Sequence, residues 1–129
     1  MIPFATAVLG GIVAVLTLDT IGSLLAKRFG FFYGRLSPIS LLLWTAAGAL
    51  ASRAGVAYFA LFLGALAGLV VGLIDSTLGW WISWRIGPGR LRPERSTTPV
   101  IARTILQVTT TAACFGAVGA VLLTVSRSL

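Results

Sequence analysis

The chain has 129 residues, of which 57% are hydrophobic and only 10% charged, against roughly 25% charged in soluble domains. With a mean hydropathy of +1.00 it is too apolar for a water-soluble fold of this size, which has no interior large enough to hide so much apolar surface. The net charge of +7 fits membrane topology better than nucleic-acid binding, because Lys and Arg collect in cytoplasmic loops and meet anionic headgroups there.

The first apolar run extends from about Ile2 to Ala26 and is closed by Lys27-Arg28. It lacks a basic leading region and is long for a signal-peptide core, so it is expected to be a retained first helix. Glycine and aromatics then make a turn over residues 29–35. Pro38 begins a second, shorter helix that runs to about Ser52, a position where its missing N–H costs nothing. Arg53-Ala54-Gly55 reverses the chain into a third run from about Val56 to Trp84, which ends among Trp80, Trp81, Trp84 and Arg85. The polar segment 87–96 follows, and the fourth run goes from about Pro99 to Ser126. At roughly 20 residues per span, the expectation is an all-α integral membrane protein with four transmembrane helices, forming a single membrane domain over residues 1–129.

The basic residues are unevenly placed. Lys27, Arg28 and Arg35 lie in the first connection, and Arg85, Arg90, Arg92 and Arg95 in the third. Arg53, Arg127 and the N-terminal amine are left for the other side. By the positive-inside rule the first and third connections are cytoplasmic and both termini lie on the non-cytoplasmic side, in a bacterial-type inner membrane. The seven cytoplasmic cations are expected to touch anionic lipid headgroups of that leaflet.

Two stretches of the chain resemble each other. Leu18-Asp19-Thr20-Ile21-Gly22 aligns with Ile74-Asp75-Ser76-Thr77-Leu78-Gly79 once one residue is inserted, and Arg28-Phe29-Gly30 then falls on Arg85-Ile86-Gly87. Gly34-Arg35-Leu36-Ser37-Pro38 matches Gly89-Arg90-Leu91-Arg92-Pro93. The pattern suggests two tandem helical hairpins, residues 1–55 and 56–129, related by a pseudo-twofold axis along the membrane normal. The competing explanation is that any cytoplasmic helix end gathers Arg, Gly and Pro.

Asp19 and Asp75 stand inside these apolar runs, in a chain whose only other acid is Glu94. A carboxylate within a span costs on the order of 2.5 to 3.5 kcal/mol on insertion scales unless it is paired or neutralised. Asp19 falls roughly 12 Å from Lys27 and Asp75 roughly 15 Å from Arg85 along the helix axis, so the two share a depth. If they meet, a low-dielectric site holding two carboxyl groups calls for a proton or a cation. Thr20 and Ser76 follow the acids directly. On the fourth run Arg103 and Gln107, one turn apart, are candidate partners, with Gln107 near the depth of the aspartates. Arg103 has a second reading as a snorkelling interfacial residue. The aspartates themselves are either a structural clasp between helices or a binding site for proton, cation or substrate.

The third run also carries Ala60, Gly64, Gly68, Gly72 and Ser76 at four-residue spacing, a ridge over which another helix can approach closely. Trp80, Trp81 and Trp84 read as an interfacial aromatic belt or as a stacking platform for a flat ligand. Phe31, Phe32 and Tyr33 suit either the headgroup layer or a partner.

Enzymatic chemistry lacks its residues. There is no histidine, and Cys114 is the single cysteine, which removes disulfide frameworks and cysteine-framed metal sites. No phosphate-binding Gly-x-x-x-x-Gly-Lys loop occurs. A non-enzymatic protein without cofactor or metal is expected. In size, helix count and the acid in its first helix, Asp19, the chain resembles small multidrug-resistance exporters. It departs from them in carrying Asp where that family's signature carboxylate is Glu, and in the internal likeness, so membership does not follow. Two functions remain: a proton- or cation-coupled transporter or channel, or a non-catalytic accessory or scaffold subunit whose glycine ridge and basic loops meet larger partners. Either one implies a homo-oligomer or a larger membrane complex, without nucleic acid.

Overall fold

The computed structural model describes residues 4–55, 57–87 and 98–129. Apart from short turns at 30–32, 53–55, 87 and 127–129 these are helical, without strands among the described residues. Helix α1 spans Phe4–Phe29, and a 3-10 turn at Tyr33–Leu36 leads into α2, Ser37–Ser52. Helix α3, Ala57–Ile74, passes through a π-helical turn, Asp75–Gly79, into α4, Trp80–Ile86. Helix α5 covers Thr98–Ser126. Because α3, the π turn and α4 follow without a break, the described residues form four helical rods.

Three of these rods are long and apolar enough to cross a membrane: Phe4–Phe29, Phe59–Ile86 and Thr98–Ser126. The expected fourth span forms a helix but a short one. Its 16 residues reach about 24 Å, less than the roughly 30 Å of a bilayer's hydrocarbon. Two local features hold it to that length. The 3-10 turn and the Pro at its start consume the residues that would extend it forward, and the turn at Arg53 to Gly55 ends it.

Helices α2 and α3 form the centre, with α1 and α5 on opposite sides of the pair. The core is built from small and medium side chains, Ala7, Val8, Val15, Ala47, Ala51, Ala67, Val71 and Ala112, with Trp44 as its one large member. Helix α5 drops into the groove between α2 and α3 because glycines line both sides. An ideal Cβ on Gly116 would stand 2.9 Å from Gly68 Cα, and one on Gly119 would stand 2.9 Å from the Thr45 carbonyl carbon. Such distances let backbones touch.

That seating breaks the expected twofold. Exchanging the two proposed hairpins would repeat the α2–α3 contact as an α1–α5 contact. Helix α2 does pack along α3, whereas α1 and α5 do not touch. The glycine seam holds α5 against the far side of the central pair, out of reach of α1.

The π turn accounts for the residue inserted in the internal alignment. Asp75 and Gly79 are one residue further apart than Asp19 and Gly22, and a turn closed by i to i+5 bonding absorbs one extra residue without breaking the rod. The Trp80 N–H donates to the Asp75 carbonyl, which makes this wide bond. Nearby, the Thr77 and Ser76 hydroxyls both donate to the Leu73 carbonyl, at 2.6 and 3.1 Å. Side-chain hydroxyls competing for a helix carbonyl loosen and bend the ladder.

Candidate functional site

One face of α1 buries Val15, Asp19, Gly22, Ser23 and Ala26, which recur at helical spacing and so share a side. This face meets the π turn and α4. Asp19 is 1% exposed and Asp75 0%. Both carboxyl groups converge on Gly79: an ideal Cβ there would lie 2.9 Å from Asp19 Cγ and 3.2 Å from Asp75 Oδ1. Two groups that close to one point are within about 6 Å of each other, the range in which neighbouring charges govern one another. A side chain at position 79 would occupy the space the carboxylates use.

Tyr33 completes the site. Its hydroxyl donates to Asp19 Oδ1, and the ring is buried. The 3-10 turn brings it there by folding back over Gly22, whose absent Cβ would sit 3.1 Å from Tyr33 Cε2. Gly22 therefore makes room for Leu36 and the Tyr33 ring, and Gly79 for the carboxylates.

A polar strip continues from the aspartates toward the Lys27 end of α1. Ser23 and Ser83 are buried, at 2% and 1% exposure, and neither hydroxyl has a hydrogen-bond partner. At the end of the strip, Lys27 Nζ donates to the Ile86 carbonyl at 2.9 Å. Lys27, Arg28, Arg35 and Arg85 are exposed and gather at this end of the bundle. Arg28 lies over the Phe29 ring and Arg85 over Trp81, while Trp80 and Trp84 stack with their planes 13° apart. Arg90, Arg92 and Arg95 fall outside the described residues.

The structure brings Asp19 and Asp75 together but separates the other candidates from them. Arg103 and Gln107 are exposed on α5, make no hydrogen bond or ion pair with either carboxylate, and belong to a helix that α1 does not touch. Helix α5 does reach the turn that carries Asp75, through Ser76 and Thr109, so the partnership expected from depth fails on direction: Arg103 and Gln107 sit on an exposed face of α5. Gln107 instead borders a cavity of about 250 Å³ with Ser37, Ser40, Trp44 and Thr111, between α2 and α5. Ser76 is buried on the α5 side and lies 3.5 Å from Thr109. The Thr20 hydroxyl donates to the Leu16 carbonyl of its own helix. Gly64, Gly68 and Gly72 lie against Ala120, Ala112 and Thr109 of α5, and Ala60 is buried on the same rod.

Ser23 and Ser83 did not stand out in the sequence, and Tyr33, expected at the headgroup layer or against a partner, is instead buried on Asp19. A signal for the serines was present: Ser23 follows Asp19 by four residues and so extends that acid's face by one turn, and Ser83 follows Gly79, where the carboxyl groups converge, by four. Tyr33 gave no such sign, since its place depends on how the turn folds back. The whole donor set, carboxylate, phenol and hydroxyl, is oxygen, which suits protons and hard cations rather than soft metals. No family model matches this chain, and neither curated proteins nor solved structures give a significant match.

Proposed function

We propose that this is a small integral membrane transporter or channel in which Asp19 and Asp75 together bind the coupling or conducted ion, a proton or a hard cation. The observation that carries the reading is the convergence of two fully buried carboxyl groups on Gly79 in rods otherwise apolar enough to span a bilayer. Burying one carboxylate in such surroundings is expensive, and burying two side by side is more so. A clasp needs only one acid and one donor. The π turn supports the same reading, since such turns are frequent at functional sites.

The accessory-subunit alternative loses its main support, because the glycine ridge that was to meet a partner is occupied by α5 of the same chain. The concentration of Lys27, Arg28, Arg35 and Arg85 at one end, against Arg53 and Arg127 at the other, supports a cytoplasmic basic end touching anionic lipid, with both termini opposite, in a bacterial-type inner membrane. Residues 1–55 and 56–129 are then diverged copies of one hairpin, with the π turn as the site of the extra residue. No enzymatic step is part of this reading, and it is compatible with a homo-oligomer or a larger membrane complex.

The test is ion flux in proteoliposomes, comparing wild type with Asp19→Asn and Asp75→Asn. Loss of at least a hundredfold in either variant, with an unchanged elution profile in detergent, supports the site. Flux equal to wild type in both variants refutes it.

A further inference from the structure

Resting on that reading, we propose that the ion is a proton, and that it moves between the aspartate pair and the Lys27 end of the bundle along a hydrated seam between α1 and α4 whose relay groups are the Ser23 and Ser83 hydroxyls. Two contacts fix how these rods lie side by side. Position 79 meets Asp19, and position 87 meets Lys27, where an ideal Cβ would be 3.3 Å from both Lys27 Cβ and Lys27 Cδ. The rods therefore run parallel with a constant offset of sixty residues. That offset places Ser23 level with Ser83, one turn from the carboxylates and one turn from Lys27.

Both serines point into this seam. Ser23 lies on the buried face of α1 that also carries Asp19. Helix α4 has α1 as its only neighbour among the other described rods, so the near-complete burial of Ser83 is against α1. The two hydroxyls face one level without bonding each other or anything else described. Buried hydroxyls are nearly always satisfied, by protein or by ordered water. A site with several polar groups and no protein partner for them is where a buried water is held, and Gly79, Gly87 and Ala26 keep the neighbouring side chains small. The resulting order is Asp75, Asp19 with Tyr33, then the serine pair, then the exposed Lys27 end, over about 12 Å.

The proton is favoured over a metal cation by the end of the route. Lys27 stands there with its ammonium on the Ile86 carbonyl, taking up the carbonyl that a desolvating alkali ion would use and repelling it. A proton passes by exchange along hydroxyls and waters: each oxygen accepts one proton and releases another, and no bare ion need be solvated by the seam.

The experiment has two arms. In the first, uptake is followed by a lumenal pH-sensitive dye in proteoliposomes under a potassium diffusion potential, for wild type, Ser23→Ala, Ser83→Val and Thr17→Ala. Thr17 is the control because its exposed hydroxyl donates to the Val13 carbonyl of its own helix. The two seam variants are expected to lose at least tenfold and Thr17→Ala nothing. In the second arm, Ser83→Cys is placed in a Cys114→Ser background and offered a membrane-impermeant thiol reagent from the Lys27 side. Labelling there supports a wet seam, and its absence in a correctly eluting protein overturns the route. If Asp19→Asn abolishes proton flux while both serine variants retain it, the carboxylate site stands and this route is wrong. If flux follows sodium without protons, the choice of ion is overturned. If the wild type carries no ion, the transport reading fails, and thiol labelling alone still decides whether the seam is hydrated.

Discussion

The two long seams of this molecule use glycine for opposite purposes. Along α5, Gly48, Gly64, Gly68, Gly116 and Gly119 bring main chain against main chain, so at these positions the contact has no room for an added atom. Along α1, Gly22 stands opposite Leu36 and the Tyr33 ring and Gly79 opposite two carboxyl groups, so the room they leave admits the tyrosine and the acids it bonds. One seam anchors the bundle. The other holds chemistry in a place where an apolar bundle alone has no use for it.

The sharpest way to break this contrast is to add a methyl group to the α5 side. A Cβ at Gly116 would press on the backbone of Gly68, at 2.9 Å from Cα and 3.0 Å from N, and backbone cannot rotate away. Overpacking costs about 1–3 kcal/mol, occasionally more, and Gly116→Ala is expected at the upper end because the glycine touches two helices at once. Denaturant titration in detergent measures it, with Gly10→Ala as the counterpart. Gly10 has nothing within 4 Å, so there the alanine should stabilise by about 0.5–1 kcal/mol through helix propensity alone.

On the polar side the same methyl should act on function more than on stability. Gly79→Ala puts its Cβ where the Asp19 and Asp75 carboxyl groups sit, and those short side chains must rotate apart. We expect a fold cost of about 1–2 kcal/mol and the loss of nearly all ion flux. A variant with full flux would show that the carboxylates need not share the space around position 79.

Tyr33→Phe separates the acid from its donor with no change in volume. Removing one partner of a buried hydrogen bond costs about 1–3 kcal/mol. The expected result is a stability loss of about 2 kcal/mol and a clear fall in flux. If Tyr33→Phe is as stable as wild type, the tyrosine is a packing group and the site consists of the aspartates alone.

How far the sequence carried this comparison differs between the seams. The four helical runs were legible from hydropathy, because apolar length leaves few alternatives. The small-residue ridge of α3 was legible from its four-residue spacing, since that spacing repeats on one helix face. Asp19 and Asp75 were legible as exceptions, being acids in apolar runs. Their neighbours were harder to read. Gln107 matched the aspartates in depth, with Arg103 one turn nearer the interface, yet depth is one coordinate and adjacency needs two more. Tyr33 was read as an aromatic for the headgroup layer or a partner, and it turns inward because a 3-10 turn, set by the fold of residues 33–36 and room at Gly22, decides its direction. The internal alignment was informative in its gap, which coincides with the π turn. It misled in its implied symmetry, because α5's glycines choose its seat independently of the resemblance.

The smallest expected effect lies at the open end of the polar seam. Lys27 is exposed, and its bond to the Ile86 carbonyl satisfies one of the orphan acceptors in the last turn of α4. Lys27→Met keeps the apolar stem and removes the donor, so α4 should fray by one turn with a cost of about 0.5–1 kcal/mol. Amide exchange resolves it: Trp84, Arg85 and Ile86 should exchange faster while the α5 amides are unchanged. Such a local response marks a cap. If the exchange instead quickens as far as Gly79 and Asp75, then Lys27 holds the whole polar seam shut, and the aspartate pair depends on a side chain two turns away at the bundle's basic end.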